Sequence, residues 1–133
     1  MGCDVGKQME RERGLWDVNL FEYENLYGVE FGMNKADRLR HGQTMMTHAM
    51  LFTGVDLIEN IPRRWRVENS WGAEQSGEKG FYTMNDSWFD EHMFEIASPK
   101  KYLTSEMLKA LETDPIVLPA WDPMGSLAKE ALT

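Results

Sequence analysis

The chain has 133 residues, 42% of them apolar, which is enough for one folded domain with a buried core. Its 14 Lys and Arg residues against 22 Asp and Glu residues give a net charge of −8, a sign that repels nucleic-acid backbones and anionic lipid surfaces. No stretch approaches the roughly 20 apolar residues of a membrane helix, and the single cysteine, Cys3, cannot close an intrachain disulfide, so we expect a cytoplasmic protein with neither membrane nor nucleic-acid partners.

The first third of the chain predicts little regular structure. Residues 14–33 mix aromatic side chains with glycines and follow no single period, which is typical of a loop with short extended pieces. Asn34 can cap a short helix that runs through Leu39 and ends at Gly42. No internal repeat or flexible linker divides the chain, so we expect residues 1–133 to form a single unit.

Two segments in the middle of the chain have the composition of β-strands. Residues 46–57 are rich in β-branched and apolar side chains, and residues 65–69 alternate in character. We expect them to pair antiparallel, with residues 57–64 as a longer connection that Pro62 closes. The register that we favour among several sets three pairs opposite each other: Phe52 and Trp65, Met50 and Val67, His48 and Asn69. The parity of the two strands lets the last, polar pair share a face.

Shorter elements are expected after this hairpin. A turn bracketed by two glycines at 77 and 80 precedes a strand at 81–84, and Asn85 or Asp86 can cap a short helix. Residues 94–97 can form a fourth strand.

The best-defined helix and an extended tail lie at the carboxyl-terminal end. Leu103 and Leu108 flank Thr104 as a hydrophobic staple around its N-cap, which predicts a helix over 104–113. Pro115 ends this helix because proline disfavours a helical residue before it. Further prolines predict that 113–133 is an extended arm lying along a surface or groove.

His48 is the strongest candidate for a chemical role. A lone histidine on an apolar strand face is more often structural, and that reading stays open on this evidence alone. The segment Asn69-Ser70-Trp71-Gly72, however, supplies an amide, a flat aromatic ring and a tight turn. These are the parts that hold an imidazole in one tautomer and keep water away from its hydrogen bond.

Several segments carry a resemblance to a known family. Thr47-His48-Ala49-Met50 and Trp65-Arg66-Val67-Glu68-Asn69-Ser70-Trp71-Gly72 resemble the histidine and asparagine part of papain-like cysteine peptidases. The chain is more specifically similar to the carboxyl-terminal portion of the bleomycin hydrolase, or aminopeptidase C, family. That likeness is carried by three further segments: Cys3-Asp4-Val5-Gly6-Lys7, Met33-Asn34-Lys35-Ala36 and Leu118-Pro119-Ala120-Trp121-Asp122-Pro123-Met124-Gly125.

The resemblance implies an α+β fold, namely the β-rich half, an antiparallel sheet or barrel, of a Cys-His-Asn peptidase. Such a peptidase removes amino-terminal residues from peptides and needs no cofactor. His48 would be the general base and acid, Asn69 would orient its ring, and Trp71 would shield their contact and wall the leaving-group side of the cleft. The family's nucleophile lies in a Gln-Gly-Arg-Cys-Trp type of segment, which this chain lacks. Cys3 lies 45 residues before His48 in a stretch that matches a non-catalytic region, so we expect it to be structural.

The resemblance also assigns the arm and the assembly. Its family members place a carboxyl-terminal arm in the cleft, where the terminal carboxylate meets the substrate amine, and assemble as hexamers. The residues that match this arm are Met124, Gly125, Ser126, Leu127 and Ala128. Residues 129–133 run beyond it and are either trimmed or placed differently. The expected partners are peptide substrates, the missing cysteine-bearing half, and further copies of the chain.

A metal site and a non-catalytic binding fragment are the two alternatives to this assignment. A metal site is not expected, because His41 and His92 have no ligand spacing with His48 or with a carboxylate cluster. The other alternative is a binding or regulatory fragment that keeps the β-rich half without catalysing, in which case the face around His48 would be an apolar patch that seeks a partner.

Overall fold

A computed structural model of the chain describes residues 1–74 and 77–128. Its eight strands are β1 (Gly2–Cys3), β2 (Met9–Glu10), β3 (Leu15–Trp16), β4 (His48–Ala49), β5 (Leu51–Ile58), β6 (Ile61–Glu68), β7 (Phe81–Asn85) and β8 (Met93–Glu95). Its α-helices are α1 (Tyr23–Tyr27), α2 (Lys35–Arg40), α3 (Asp86–His92) and α4 (Ser105–Ala110). Two 3₁₀ helices span Lys100–Tyr102 and Pro123–Leu127.

The strands form two sheets. The larger has five strands in the order β2-β3-β7-β6-β5, and the smaller has three in the order β4-β1-β8. All pairs are antiparallel except β3 with β7. Short helices accompany the two sheets, which confirms the predicted α+β class.

The hairpin of β5 and β6 corrects the predicted register. Phe52 lies opposite Val67, two residues from the predicted pairing, and Gly54 sits at an irregularity that shifts the register further. The predicted connection over 57–64 is wrong, because the strands continue to a two-residue turn at Glu59 and Asn60, whose φ values are 51° and 65°. Consecutive positive φ values are those of a type I′ hairpin turn. The sequence lacks the glycine that usually marks such a turn.

Pro62, expected to close the connection, lies inside β6 opposite Leu57. The neighbouring strand β7 pairs with β6 only from Arg64 onward. Proline is therefore placed where β6 has a neighbour on one side only, as the missing backbone donor requires.

The core lies between the larger sheet and α3. Trp16 stacks on Tyr82 with ring centres 4.6 Å apart and lies 5.7 Å from Trp88. The other fully buried side chains of the core are Cys3, Val67 and Met84. The indole nitrogens of both tryptophans donate to backbone carbonyls, Trp16 to Val5 and Trp88 to Lys7, so the aromatic core leaves neither donor unpaired.

Two predicted helix caps are present. The side chain of Asn34 accepts from the backbone N–H of Asp37 at 2.9 Å, and the Thr104 hydroxyl accepts from that of Met107 at 3.2 Å. The second helix, α4, ends at Ala110 instead of 113, and turns continue from there. The predicted loop over 14–33 contains β3 and the short helix α1.

The arm differs from a wholly extended tail. Residues 114–119 have no regular structure, but Pro123–Leu127 forms a 3₁₀ helix whose first turn is capped by the Asp122 side chain and which lies near α2. The segment 129–133 lies outside the described residues. Across the part of the chain that is described, no helix is both long and apolar enough to cross a membrane.

The accessible surface is large for the size of the chain. It is 10183 Å², whereas a monomeric protein of 15.4 kDa has about 7,200 Å². Large apolar side chains contribute to the excess, with Ile116 and Val117 each 89% exposed. The chain therefore leaves uncovered more surface than a folded monomer of its mass does.

Candidate active site

The structure brings His48 and Asn69 together from different sheets. His48 is in β4, where it pairs with Cys3, and Asn69 follows β6 directly. The His48 Nε2 and Asn69 Oδ1 atoms are 2.9 Å apart. The backbone N–H of Asn69 also donates to the carbonyl of Gly80 at 3.0 Å, which anchors the end of β6. His48 is thus held by the pairing of β4 with β1, and Asn69 by its backbone hydrogen bond to Gly80.

The direction of this hydrogen bond assigns the tautomer of His48. An amide oxygen only accepts, so Nε2 carries the hydrogen. Nδ1 is then the basic nitrogen of the neutral ring, and no hydrogen bond to it occurs within 1–74 and 77–128. His48 therefore has one nitrogen fixed by Asn69 and the other available to take a proton.

Trp71 covers the imidazole. Its ring stacks on His48 with centres 5.0 Å apart and planes 26° apart. Its edge meets the buried ring of Tyr82 at 6.1 Å, and the guanidinium of Arg11 lies 5.2 Å from its centre. These contacts hold the indole over the hydrogen bond between His48 and Asn69 and reduce the access of water to it.

Cys3 is near His48 in the sheet but is not placed to react. Its thiol is fully buried and lies 3.8 Å from the backbone carbonyl of His48, toward which it donates. Burial, reinforced by the neighbouring Asp4 carboxylate, raises the pKa of the Cys3 thiol to about 12. A thiol with such a pKa supplies almost no thiolate at neutral pH, and the thiolate is the nucleophilic form.

Asp4 and Thr44 support the strand that carries His48, and the motifs in the sequence did not indicate them. The buried Asp4 carboxylate accepts from the Thr44 hydroxyl at 2.7 Å. Three residues on, the backbone N–H of Thr47 donates to Cys3 at 2.9 Å. The segment leading into β4 is therefore bonded to β1 and the residue after it.

A cavity of about 300 Å³ lies beside His48. Most of its walls are apolar or small, and Glu95 contributes a carboxylate. The residues that line it are Met1, Gly2, Met46, Thr47, His48, Ala49, Glu95 and Ala97. Sequence patterns did not indicate Glu95 or Arg11, because each reaches the site through pairing between segments distant in the chain.

The arm residues are not joined to this pair by hydrogen bonds. Those made by 122–128 are all local, such as the Ser126 hydroxyl to the carbonyl of Pro123 at 2.8 Å. His41 is exposed, whereas His92 is buried against Trp88. Within the described ranges no group of three or more His, Cys, Asp or Glu side chains could hold a metal ion.

Comparison with known proteins bears out the resemblance. The profile of the Peptidase C1-like family matches residues 1–125. Bleomycin hydrolase of Mus musculus is 51% identical over 132 residues, which cover 96% of this chain and 29% of that protein. Aminopeptidase C of Listeria innocua is 46% identical over 127 residues, with the same coverage of 96% and 29%.

A solved structure also matches. PepW from Lactobacillus rhamnosis HN001 superimposes with a TM-score of 0.87 at 43% identity, covering 95% of this chain and 29% of that one. The chain thus spans less than a third of the length of these relatives, and it belongs to the Peptidase C1-like family.

Proposed function

We propose that the chain is the histidine- and asparagine-bearing part of a cysteine-type aminopeptidase that hydrolyses the first peptide bond of peptides. The observation that carries this proposal is the hydrogen bond from His48 to Asn69 beneath Trp71, which leaves Nδ1 as a free base. The names of the relatives support an aminopeptidase of the bleomycin hydrolase type.

In this mechanism His48 moves the proton and a cysteine thiol attacks. Nδ1 takes the thiol proton, and the thiolate adds to the carbonyl carbon of the scissile bond. The imidazolium then returns the proton to the leaving amine as the C–N bond breaks, which leaves a thioester. A water molecule, deprotonated by the same nitrogen, hydrolyses the thioester and regenerates the thiol. Protons balance over the cycle, and one water is consumed.

Asn69 keeps the ring in the tautomer that this cycle needs. Because its carboxamide is neutral, it orients the imidazole without adding a negative charge beside it. The thiolate supplies the negative charge that stabilises the imidazolium. Trp71 keeps water from competing for the hydrogen bond that Asn69 accepts.

The thiol is proposed to come from outside the 133 residues. Cys3 is buried, has a raised pKa and contacts the backbone of His48 rather than its ring. The large open surface and the 29% coverage of the relatives both support a cysteine-bearing part that packs against this chain. The role of the arm at 124–128, the hexamer and the cytoplasmic location stay predictions from the resemblance.

Turnover of an aminoacyl-coumarylamide tests the proposal. The enzyme assembled from this chain and the cysteine-bearing part should release coumarin, and the isolated chain should release none. The same assembly carrying His48→Ala should be inactive. If the assembled enzyme is inactive although it binds peptides, the chain is a binding fragment and the proposal is wrong.

A further inference from the structure

Trp71 is held over the imidazole by ring contacts and not by hydrogen bonds. In the described part of the chain neither its backbone nor its indole nitrogen forms a hydrogen bond. Its ring contacts come from three separate elements, namely His48 in β4, Tyr82 in β7 and Arg11 in the loop after β2. The position of the indole therefore depends on these neighbours.

The backbone that carries Arg11 is fixed in place. Arg11 begins the four-residue loop that joins β2 to β3. The Glu10 carboxylate closes this loop, because it accepts from the backbone N–H of Glu12 at 3.1 Å and from that of Arg13 at 2.7 Å. The carbonyl of Arg11 accepts from the backbone N–H of Gly77 at 3.2 Å. The side chain of Arg11 thus extends from an anchored turn.

The guanidinium of Arg11 contacts the indole and is not engaged elsewhere. Its central carbon lies 5.2 Å from the centre of the Trp71 ring, within the roughly 6 Å over which a cation is attracted to an aromatic face. It forms no ion pair and no hydrogen bond with residues of 1–74 and 77–128. At an exposed position such a contact changes an equilibrium constant about two- to fivefold.

We propose that Arg11 is a positioning residue whose guanidinium keeps Trp71 stacked on His48. The stacked indole in turn keeps water away from the hydrogen bond between His48 and Asn69. This inference rests on the proposed aminopeptidase function, to which it adds a residue that acts only through the indole. Loss of the guanidinium increases the fraction of open molecules, in which the indole has moved off the imidazole and the Nε2–H meets water.

Exchange of the His48 Nε2 hydrogen with water tests the proposal in the assembled enzyme. Because this hydrogen exchanges from open molecules, its exchange rate is proportional to their fraction. We expect Arg11→Gln to raise the rate about two- to fivefold. Arg11→Lys, which keeps a cation, should recover part of the wild-type protection. NMR of enzyme that carries isotope-labelled histidine measures the rates.

A neighbouring arginine and a double variant provide the controls. Arg13→Gln removes the same charge from an exposed position of the same loop without a contact to Trp71, and should leave the rate unchanged. In a Trp71→Ala background Arg11→Gln should have no further effect, because the indole through which it acts is gone. The proposal is overturned by an unchanged rate in Arg11→Gln, by no recovery in Arg11→Lys, or by an equal rise in either control.

Steady-state kinetics on an aminoacyl-coumarylamide separates this role from substrate binding and from the proposed function. Arg11→Gln should lower kcat by no more than about fivefold and leave KM unchanged, since the guanidinium acts on the indole and not on the substrate. A raised KM with an unchanged exchange rate would mean that Arg11 binds substrate, which would overturn the proposal. If the wild type shows no turnover, the proposed function fails, and the exchange rates still decide whether Arg11 positions Trp71.

Discussion

His48 and Asn69 are 21 residues apart in sequence and belong to different sheets, yet Nε2 of one and Oδ1 of the other meet at 2.9 Å. The contact depends on β1, which pairs with the strand of His48, and on Gly80, which anchors Asn69. Neither of these partners is adjacent to the pair in the chain. The pair is thus a product of the tertiary fold, and its consequences can be tested residue by residue.

Replacement of the two residues should have unequal effects on the assembled enzyme. His48→Ala removes the base and should lower kcat at least about 10³-fold. Asn69→Ala leaves the base in place with a less restrained ring, so its fold loss in kcat should be smaller by a factor of at least about ten. Steady-state kinetics on an aminoacyl-coumarylamide measures both. Equal losses would show that Asn69 does more than orient the imidazole.

The stability of the chain should depend on pH through His92. Burial, with the nearby Arg38 guanidinium as the second cause, lowers the pKa of His92 from 6.5 to about 4. The unfolded chain therefore binds a proton that the folded one does not as pH falls from 6.5 to 4, and folding stability decreases over that window.

A comparison with His92→Gln isolates this effect. Between pH 7 and 4.5 the wild type should lose of the order of 2 kcal/mol more of its free energy of unfolding than the variant. Urea titrations of both proteins at the two pH values measure the difference. If the free energy of unfolding changes with pH equally in both proteins, the folded chain binds a proton at His92 as readily as the unfolded chain does.

Gly14 and Gly77 should tolerate no side chain. Gly14 has φ +66°, and a Cβ there would lie 2.7 Å from the Gly77 Cα, too close for real atoms. This approach places Gly77 against Gly14, the residue just before β3. Gly14→Ala should lower the free energy of unfolding by at least about 2 kcal/mol, because it combines a left-handed backbone with a steric clash.

Gly6→Ala is the matched control. A Cβ at Gly6 meets nothing within 4 Å, and its φ is not positive. The substitution should leave the free energy of unfolding unchanged or raise it by up to about 1 kcal/mol. Thermal melts of the two variants make the comparison, and a tolerated Gly14→Ala would show that the loop is free to move away.

The isolated chain should self-associate. Its 10183 Å² of accessible surface exceeds the roughly 7,200 Å² typical of a monomer of this mass, and exposed apolar side chains such as Ile116, Val117 and Trp121 contribute to the excess. Sedimentation velocity should show concentration-dependent oligomers. A sharp monomeric boundary together with a cooperative melt would contradict this expectation.

Capping could be predicted from the sequence, and long-range pairing could not. The caps at Asn34 and Thr104 follow from local hydrogen bonds. The predicted pairing of His48 with Asn69 across one hairpin is wrong, because His48 lies in β4 and pairs with Cys3 in the other sheet. The register was wrong because the turn at 59–60 has no glycine to mark it.

The other parts of the site depend on contacts that no local pattern encodes. The strand β1 has two residues, which is too short for any periodicity, yet it joins His48 to the strand of Glu95. Arg11 reaches Trp71 through a loop held to Gly77. Sequence motifs therefore indicated His48, Asn69 and Trp71, and did not indicate Arg11.

Identifying the reactive thiol tests the central claim most directly. The assembled enzyme is treated with an aminoacyl chloromethyl ketone, and the modified residue is located by mass spectrometry. The account predicts a single adduct on a cysteine outside residues 1–133, formed more slowly in His48→Ala because the thiolate has lost its base. An adduct on Cys3, whose thiol is buried and has a pKa raised to about 12, would contradict the account.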